Sequence, residues 1–503
     1  MRARKSARKS ARRLIFALAL ALAPVAPAAA QTKDALSVDL PADAATLDPQ
    51  VQWDTDSYSI YRNIFDNLLT RDADGKIVPQ IASSWRYVSD TVIDFDIRAD
   101  VKFHDGTPLR PQDVVFSVKR ITDPAFKSPQ LGQFNSIVGA EVVAPATVRL
   151  TTREPYPVLL AQLVKLSIVP QHYLERVGDA KFNLEPIGSG PYRLVSWQKG
   201  VRVVLEANEA YWRGKPFFNR LTFQPVPDAA TRIADLRTGK ADIVRALNPD
   251  DVAALKGDAL QILSVPTERI GYLFLNALAG PTADVRVRRA IAYALDRELI
   301  IEALLGGYGR PVDIMLTPAN FGYVPDIKGY PHDLARAKAL VKEAGAEGAE
   351  LSFITSPAYD QRIVQAIQGM LGEAGLKVTI SLNDQATFLR RRQGPPSDSG
   401  NLSLGRWSCA CADADGVIQP LFQSASIWAK YKNASFDAAV EKARTTLDPV
   451  TRLGWYRKAL EIIKEDVPGI GLYQDVAIYG ARKGLRWKPT ADESFFVFDM
   501  RWE

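Results

Sequence analysis

The chain has 503 residues, with 63 Lys+Arg, 57 Asp+Glu, 3 His, 2 Cys and 47% hydrophobic residues. That length supports two or three domains with buried cores, and the composition excludes disorder and collagen-like structure. So few His and Cys exclude a string of zinc fingers or a disulfide-stapled scaffold.

A formal net charge of +6 suggests a nucleic-acid or acidic-membrane partner, but the distribution of charge removes that reading. Residues 1–30 carry Arg2, Arg4, Lys5, Arg8, Lys9, Arg12 and Arg13 and no acid, and without them 56 basic residues face 57 acidic ones. The same segment has an apolar run from Leu14 to Ala23 and small residues Ala28-Ala29-Ala30 before Gln31. A basic stretch, a short apolar run and a small-residue site make a secretory signal peptide, expected to be cleaved after Ala30. The apolar run of 10 residues is half the ~20 that a spanning helix needs. A plain basic leader is preferred to a twin-arginine signal for Arg12-Arg13. The only cysteines are Cys409 and Cys411, so no lipid anchor is expected on an N-terminal Cys. The expected product, 31–503, is soluble, exported and free of transmembrane helices.

The first half reads as rich in strands. Period-two alternation places strands over 91–98 and 201–206, and Gly188-Ser-Gly-Pro-Tyr192 is a turn before a strand over 193–197. Asp284 caps a helix with the stripe Val287, Ala290, Ile291, Ala294 and Leu295. Asp333 opens another through Leu334, Ala337, Val341 and Ala344, ended by Gly345. Two strands, 351–355 and 376–382, flank a helix with Ile363, Ala366, Ile367, Met370, Leu371 and Ala374 on one face and Gly375 at its end. This βαβ unit requires a parallel pair with a right-handed crossover, and the fold class is α/β. Residues 390–401, with Gly394-Pro395-Pro396, read as a surface loop, and Asp448-Pro449 opens a helix through Leu453, Tyr456, Leu460 and Ile463.

No Gly-x-Ser-x-Gly, phosphate-binding loop or His-Glu-x-x-His motif is present. His104 reads as a turn residue bonded locally, and nothing groups it with His172 and His332 as metal ligands. Cys409 and Cys411 are free thiols, a soft-metal pair or a labile disulfide, with free thiols preferred. Asp413-Ala-Asp415-Gly416 begins like a calcium loop, but the twelfth position is Ser424 and not Glu. No cofactor and no metal are therefore expected. Trp407 is either core filler or the wall of a cleft.

Several segments, in order, carry a resemblance: Leu47-Asp-Pro-Gln50, Phe65-Asp-Asn-Leu-Leu69, Val78-Pro-Gln-Ile-Ala-Ser-Ser-Trp85, Val101-Lys-Phe-His-Asp-Gly-Thr-Pro108 and Asp113-Val-Val-Phe-Ser117. Gly188-Ser-Gly-Pro-Tyr192, Asn208-Glu-Ala-Tyr-Trp212, Asp228-Ala-Ala-Thr-Arg232, Asp284-Val-Arg-Val-Arg-Arg-Ala-Ile291 and Pro468-Gly-Ile-Gly-Leu-Tyr473 follow. Over nearly the whole chain past the leader, the sequence resembles the family 5 extracytoplasmic solute-binding proteins of dipeptide, oligopeptide and nickel ABC transporters. The resemblance implies a two-lobed periplasmic-binding-protein fold. One lobe would span 31–267 and 476–503, with an inserted subdomain at 71–185, and the other 268–475. The stretches from Arg269 to Leu275 and from Gly471 to Tyr479 would connect them. It also implies capture of a peptide or peptide-like solute, delivery to an inner-membrane ABC permease, a monomer, no nucleic-acid partner and no catalysis. The alternatives are a non-peptide solute such as an opine, oligosaccharide or metal chelate, an exported hydrolase, or a chaperone or sensor partner on the same fold.

In peptide binders of the family an Asp three residues after a Trp pairs with the peptide ammonium. Here Trp407 keeps the Trp, but Ala410 stands at the Asp position; Asp413 and Asp415 align with further acids. Arg362 falls in the region that supplies a carboxylate partner, or else lies on a solvated helix face. Trp53 and Asp54 either wall the cleft or lie exposed. Ala410 implies that plain dipeptides bind poorly in the usual register unless Asp413 takes over.

Overall fold

Two long strands, Leu260–Leu275 and Gly469–Arg482, pair antiparallel along most of their length. A computed structural model of the protein describes residues 34–503 apart from 53, 73, 253, 254, 256 and 258. The leader, its cleavage site and Trp53 lie outside the described residues. None of the helices described is long and apolar enough to cross a membrane.

The long pair is the spine of a sheet of eleven strands among the described residues. On one side follow Ile243–Val244, Ala35–Leu40, Arg220–Pro225, Arg202–Ala207 and Tyr192–Gln198; on the other, Leu402–Trp407, Glu350–Thr355 and Lys377–Leu382. The short strand Gly309–Pro311 adds to Gly469–Arg482. Alternation decides which face each residue buries. Leu36, Val38 and Leu40 enter the core of the first lobe. Beyond the middle of the first long strand, Ile270, Tyr272 and Phe274 enter one core of the second lobe, and Leu273 and Leu275 enter another. Burial on both faces explains why that stretch is a continuous apolar run.

The βαβ unit forms as its pattern requires. Glu350–Thr355 and Lys377–Leu382 are parallel, joined by the helix Gln361–Glu373. Asp360 caps that helix by accepting the Arg362 N–H at 2.9 Å, and Ile363, Val364, Ile367 and Leu371 form its buried stripe. Gly375 follows with φ of +92°, a conformation that other residues adopt only at a cost. Asp284, Asp333 and Asp448 cap the helices assigned to them.

A fourth core is built on a four-stranded antiparallel sheet in the order Ala82–Ser89, Val92–Ile97, Thr147–Thr152 and Ile137–Ala144. The helix Pro111–Thr122 adds Val114, Val118 and Ile121 to it. Its buried residues run from Leu68 to Ile168. Tyr173, Leu174 and Phe182 pack in the core of the first lobe instead.

The recognisable segments near the N-terminus converge on one buried carboxylate. Asp66 accepts hydrogen bonds from Gln80 Nε2 (2.7 Å), Tyr211 Oη (2.9 Å), Ser189 Oγ (3.0 Å) and Trp212 Nε1 (3.1 Å). Burial raises its pKa to about 6, against the pull of these four donors. Beside it, Gly188 and Gly190 press on the backbone of Ile64; a Cβ on Gly190 would stand 2.6 Å from Ile64 C.

Two expectations are corrected. Residues 390–401 are not simply a surface loop. The helix Gln385–Gln393 runs into them, and Arg392, Ser399 and Asn401 are buried. The reason is tethering: Asn276 Nδ2 donates to Pro396 O and Gly400 O, and Asn401 Oδ1 accepts from Ser352 N. His104 is bonded across the chain and not locally. Its Nδ1 accepts from Gly188 N at 3.2 Å, and its Nε2 lies 3.1 Å from Gly190 O. Burial pushes its imidazole down to about 4, against the opposing effect of Gly190 O.

Gly188→Ala or Gly190→Ala should force Ile64 away from this turn and lower stability by about 1–3 kcal/mol, read by urea unfolding. A wild-type midpoint in both would show that the backbone contact is not tight.

Between about pH 4 and the ordinary His value of 6.5, the unfolded chain binds the His104 proton and the folded chain does not. Stability from this group is therefore complete above pH 6.5 and drains as pH falls toward 4. Unfolding measured from pH 7 to 4.5 should show a stability slope that is reduced in His104→Gln. Identical slopes would contradict the buried neutral ring.

Candidate functional site

The pairing of the two long strands is interrupted twice, by a wide break at their centre and by a one-residue shift between Gly271 and Tyr272. At the wide break the register shifts between Pro266 and Ile270, opposite Val476 and Gln474. Side chains bridge the gap: Gln474 Nε2 donates to Thr267 O at 2.7 Å, and Thr267 Oγ1 to Asp475 O at 3.1 Å. Glu268 N–H leaves the ladder for Ala491 O at 3.1 Å. A bulge of this kind re-aims a side chain, and here it turns Glu268 into a cavity of about 460 Å³.

Walls of that cavity come from both sides of the strand pair. Tyr58, Arg62, Arg71, Lys165 and Asp492 stand on one side, and Ala319, Ala410 and Ala412 on the other. Arg71 Nη2 donates to Cys411 O at 3.0 Å across the gap, and Nη1 to Gly75 O at 2.6 Å. Asp492 lies 3.6 Å from Arg62 and 3.7 Å from Lys165. Burial alone would raise the Asp492 carboxyl, but Lys165, Arg62 and the hydroxyls of Thr490 and Ser494 hold it well below the carboxylate range. Glu268 shows the opposite balance. Burial drives its carboxyl up to about 7, aided by Asp492 and Glu493 and resisted by Lys165 and Arg71.

A second cavity, of about 900 Å³, opens on the far side of the loop 408–412, and Ala410 borders both. Trp407 lines this second space, with Nε1 donating to Gly416 O at 2.8 Å and its ring edge-on to Trp428 at 5.9 Å. Trp407 also packs on the core beneath it, so it serves as cavity wall and core filler together.

The other sequence candidates stand elsewhere. Asp413 is 4% exposed and faces inward, so it does not take over from Ala410. Its two oxygens accept from Arg452 Nη1 and Nη2 at 2.7 and 2.8 Å, and Tyr456 Oη lies at 3.1 Å. Arg362 is on the solvated face of its helix, paired with Asp360 at 2.7 Å and Asp250 at 3.6 Å, and lines neither cavity. Asp54 caps the helix Thr55–Tyr61 through Ser57 N at 2.9 Å. Cys409 and Cys411 are bridged and not free, with Cα atoms 5.1 Å apart. The Ala412 N–H returns to Cys409 O at 2.9 Å, closing a turn over 409–412 that brings the two Cα atoms to a spacing a disulfide allows. Glu268, Arg71 and Asp492 were missed. The available signal was an acid next to an otherwise apolar connecting strand. Among the described residues no group of three or more His, Cys, Asp or Glu is placed to hold a metal ion.

Residues 76–428 match the family described as bacterial extracellular solute-binding proteins, family 5 Middle. The chain belongs to this family. The glutathione-binding protein GsiB of Shigella boydii serotype 4 is 28% identical over 503 residues, covering 96% of this chain and 97% of that protein. The periplasmic binding protein DppA of Helicobacter pylori, solved with the peptide STSA, superposes with a TM-score of 0.78 at 25% identity, covering 93% of this chain and 98% of that one. The substrate-binding protein CtaP of Listeria monocytogenes superposes with a TM-score of 0.86 at 25% identity, covering 93% and 99%. A family 5 chain is the substrate-binding component of an ABC importer and not an enzyme.

Asp413 and Arg452 form a buried ion pair, so removing one partner strands the other. Arg452→Met should cost about 3–5 kcal/mol of stability, whereas a ligand-binding role for Asp413 would leave stability intact and abolish binding. Urea unfolding beside a binding isotherm separates the two.

Proposed function

We propose that the chain is exported to the periplasm, with its leader cleaved after Ala30 and no lipid anchor, and works there as a monomer. Its two lobes, about 31–267 with 476–503 and about 268–475, close on a small peptide-like solute in the cavity at the crossing strands. The closed form then docks on an ABC permease in the inner membrane. The observation that carries this reading is the cavity of about 460 Å³, whose walls come from both sides of the strand pair. Its volume is within the ~300–1,000 Å³ of small-ligand sites. The names of two relatives, one binding glutathione and one solved with a peptide, support a peptide-like solute.

Closure follows from two-state physics. Ligand that touches Arg71 on one wall and Ala410 on the other gains both sets of contacts only when the lobes meet, and so shifts the population toward the closed form. The Arg71 hydrogen bond to Cys411 O spans the two walls, so parting them would break it.

Reduced glutathione, supplied to saturation, should lower the radius of gyration in small-angle scattering without changing the mass. Saturation verified by calorimetry with an unchanged radius would count against closure. Native mass spectrometry of the purified protein, showing retained solute of short-peptide mass, tests the solute class directly.

A further inference from the structure

Among the described residues that line the cavity on the crossing strands, Glu268, Asp72 and Arg71 pair with nothing of opposite charge, and of the two acids the exposed Asp72 is already taken by the N–H groups of Asp74 and Lys76. The Glu268 side chain makes no hydrogen bond or ion pair among the described residues, although Lys165, Arg71, Asp492 and Glu493 act on its charge. Each acid beside it already has cations: Asp492 has Arg62 and Lys165, and Glu493 has Arg245 at 3.2 Å and Arg269 at 3.0 Å. Arg71 gives two N–H groups to backbone oxygens and, among the described residues, meets no carboxylate within ion-pair distance and leaves Nε buried without an acceptor. Asp74, its near neighbour in the turn, pairs with Lys488 at 3.0 Å. Ala410, where peptide binders place their Asp, offers no charge to the cavity.

Glu268 is half-buried; a carboxylate held in a cavity without a partner is costly in its charged form, and so is a guanidinium with an unsatisfied donor. A ligand bearing both complementary charges relieves both costs. We propose that Glu268 accepts the ammonium group of the ligand and that Arg71 binds a ligand carboxylate, so that the cavity selects a small zwitterion. This rests on the reading that the lobes close over a peptide-like solute, and it supplies that solute's charge recognition from the hinge strand in place of position 410. An ammonium ligand draws Glu268 into its charged form, so binding below its raised pKa of about 7 expels a proton. Lys165 and Arg71 favour the charged form as well, while Asp492 and Glu493 oppose it.

Calorimetry with reduced glutathione and with alanyl-alanine, each also as the N-acetylated and C-terminal amide form, tests the proposal on the full chain. At least one zwitterion should bind, and N-acetylation or Glu268→Gln should weaken it by about 30-fold or more. Glu268→Asp should recover part of the loss, and Arg71→Gln should weaken the free acid more than the amide. At pH 6, binding in buffers of different ionisation enthalpy should show proton release in wild type and none in Glu268→Gln. Acetylated probes need no variant, so a folding defect in Glu268→Gln does not shield the proposal. Affinity kept within about threefold on N-acetylation and in Glu268→Gln overturns the proposal and leaves lobe closure standing. Binding of none of the probes overturns both the proposal and the peptide-like reading.

Discussion

The break in pairing between Leu260–Leu275 and Gly469–Arg482 is the constraint on which the cleft depends. On either side of it the ladder resumes, with one further single-residue shift between Gly271 and Tyr272, and the strands bury side chains in the cores of their own lobe. At the break, three residues of the first strand leave the ladder, and Gln474 and Thr267 substitute side-chain bonds for backbone ones. Each such bond is worth about 1 kcal/mol net, so this is where a relative rotation of the lobes is cheapest. The same break turns Glu268 out of the sheet. One irregularity thus places both the bend and a charged wall of the cavity.

Much of the fold was legible because the patterns that reveal it are local. Period-two and helical stripes, Asp caps and the βαβ crossover depend on neighbours within a few residues, and the structure follows them. The recognisable segments near the N-terminus were legible for a different reason. Asp66, Gln80, Ser189, Tyr211 and Trp212 form one buried hydrogen-bonded knot. Asp48 and Gln50 likewise hold Arg120, with Asp48 at 2.6 Å and Gln50 Oε1 at 3.0 Å. Such residues identify the scaffold and say little about the ligand, because their polar atoms are already satisfied by one another.

The site was less legible because partners remote in sequence decide it. Asp413 is taken by Arg452, 39 residues on, which occupies both of its oxygens. Free thiols are the reading the sequence favours for the two cysteines, since nothing in it announces the tight turn over 409–412 that lets them bridge. Arg362 and Asp54 are polar residues at helix starts, and there the local roles of ion pairing and capping prevail. Glu268 carried the reverse signal. An acid at the start of an apolar strand buried on both faces has no place in a regular ladder, and the bulge is what accommodates it.

Moving the ammonium partner from position 410 to the hinge changes what holds the closed state. Only contacts that differ between open and closed forms shift the balance between them. Glu268 sits at the pivot, so a ligand charge can reach it whichever way the lobes stand; it contributes affinity with little bias toward closure. The wall that arrives on closing is Ala319, Ala410 and Ala412, which offers apolar surface and backbone groups. Closure then draws on burial of that surface, at about 25 cal/mol per Å², and on the Arg71 bond to Cys411 O, whose acceptor is fixed within the bridged loop. With Asp at position 410, the ion pair itself would form on closing. With Ala there, capture and closure are divided between different elements, so this cleft can hold a zwitterion firmly while the lobes part to release it.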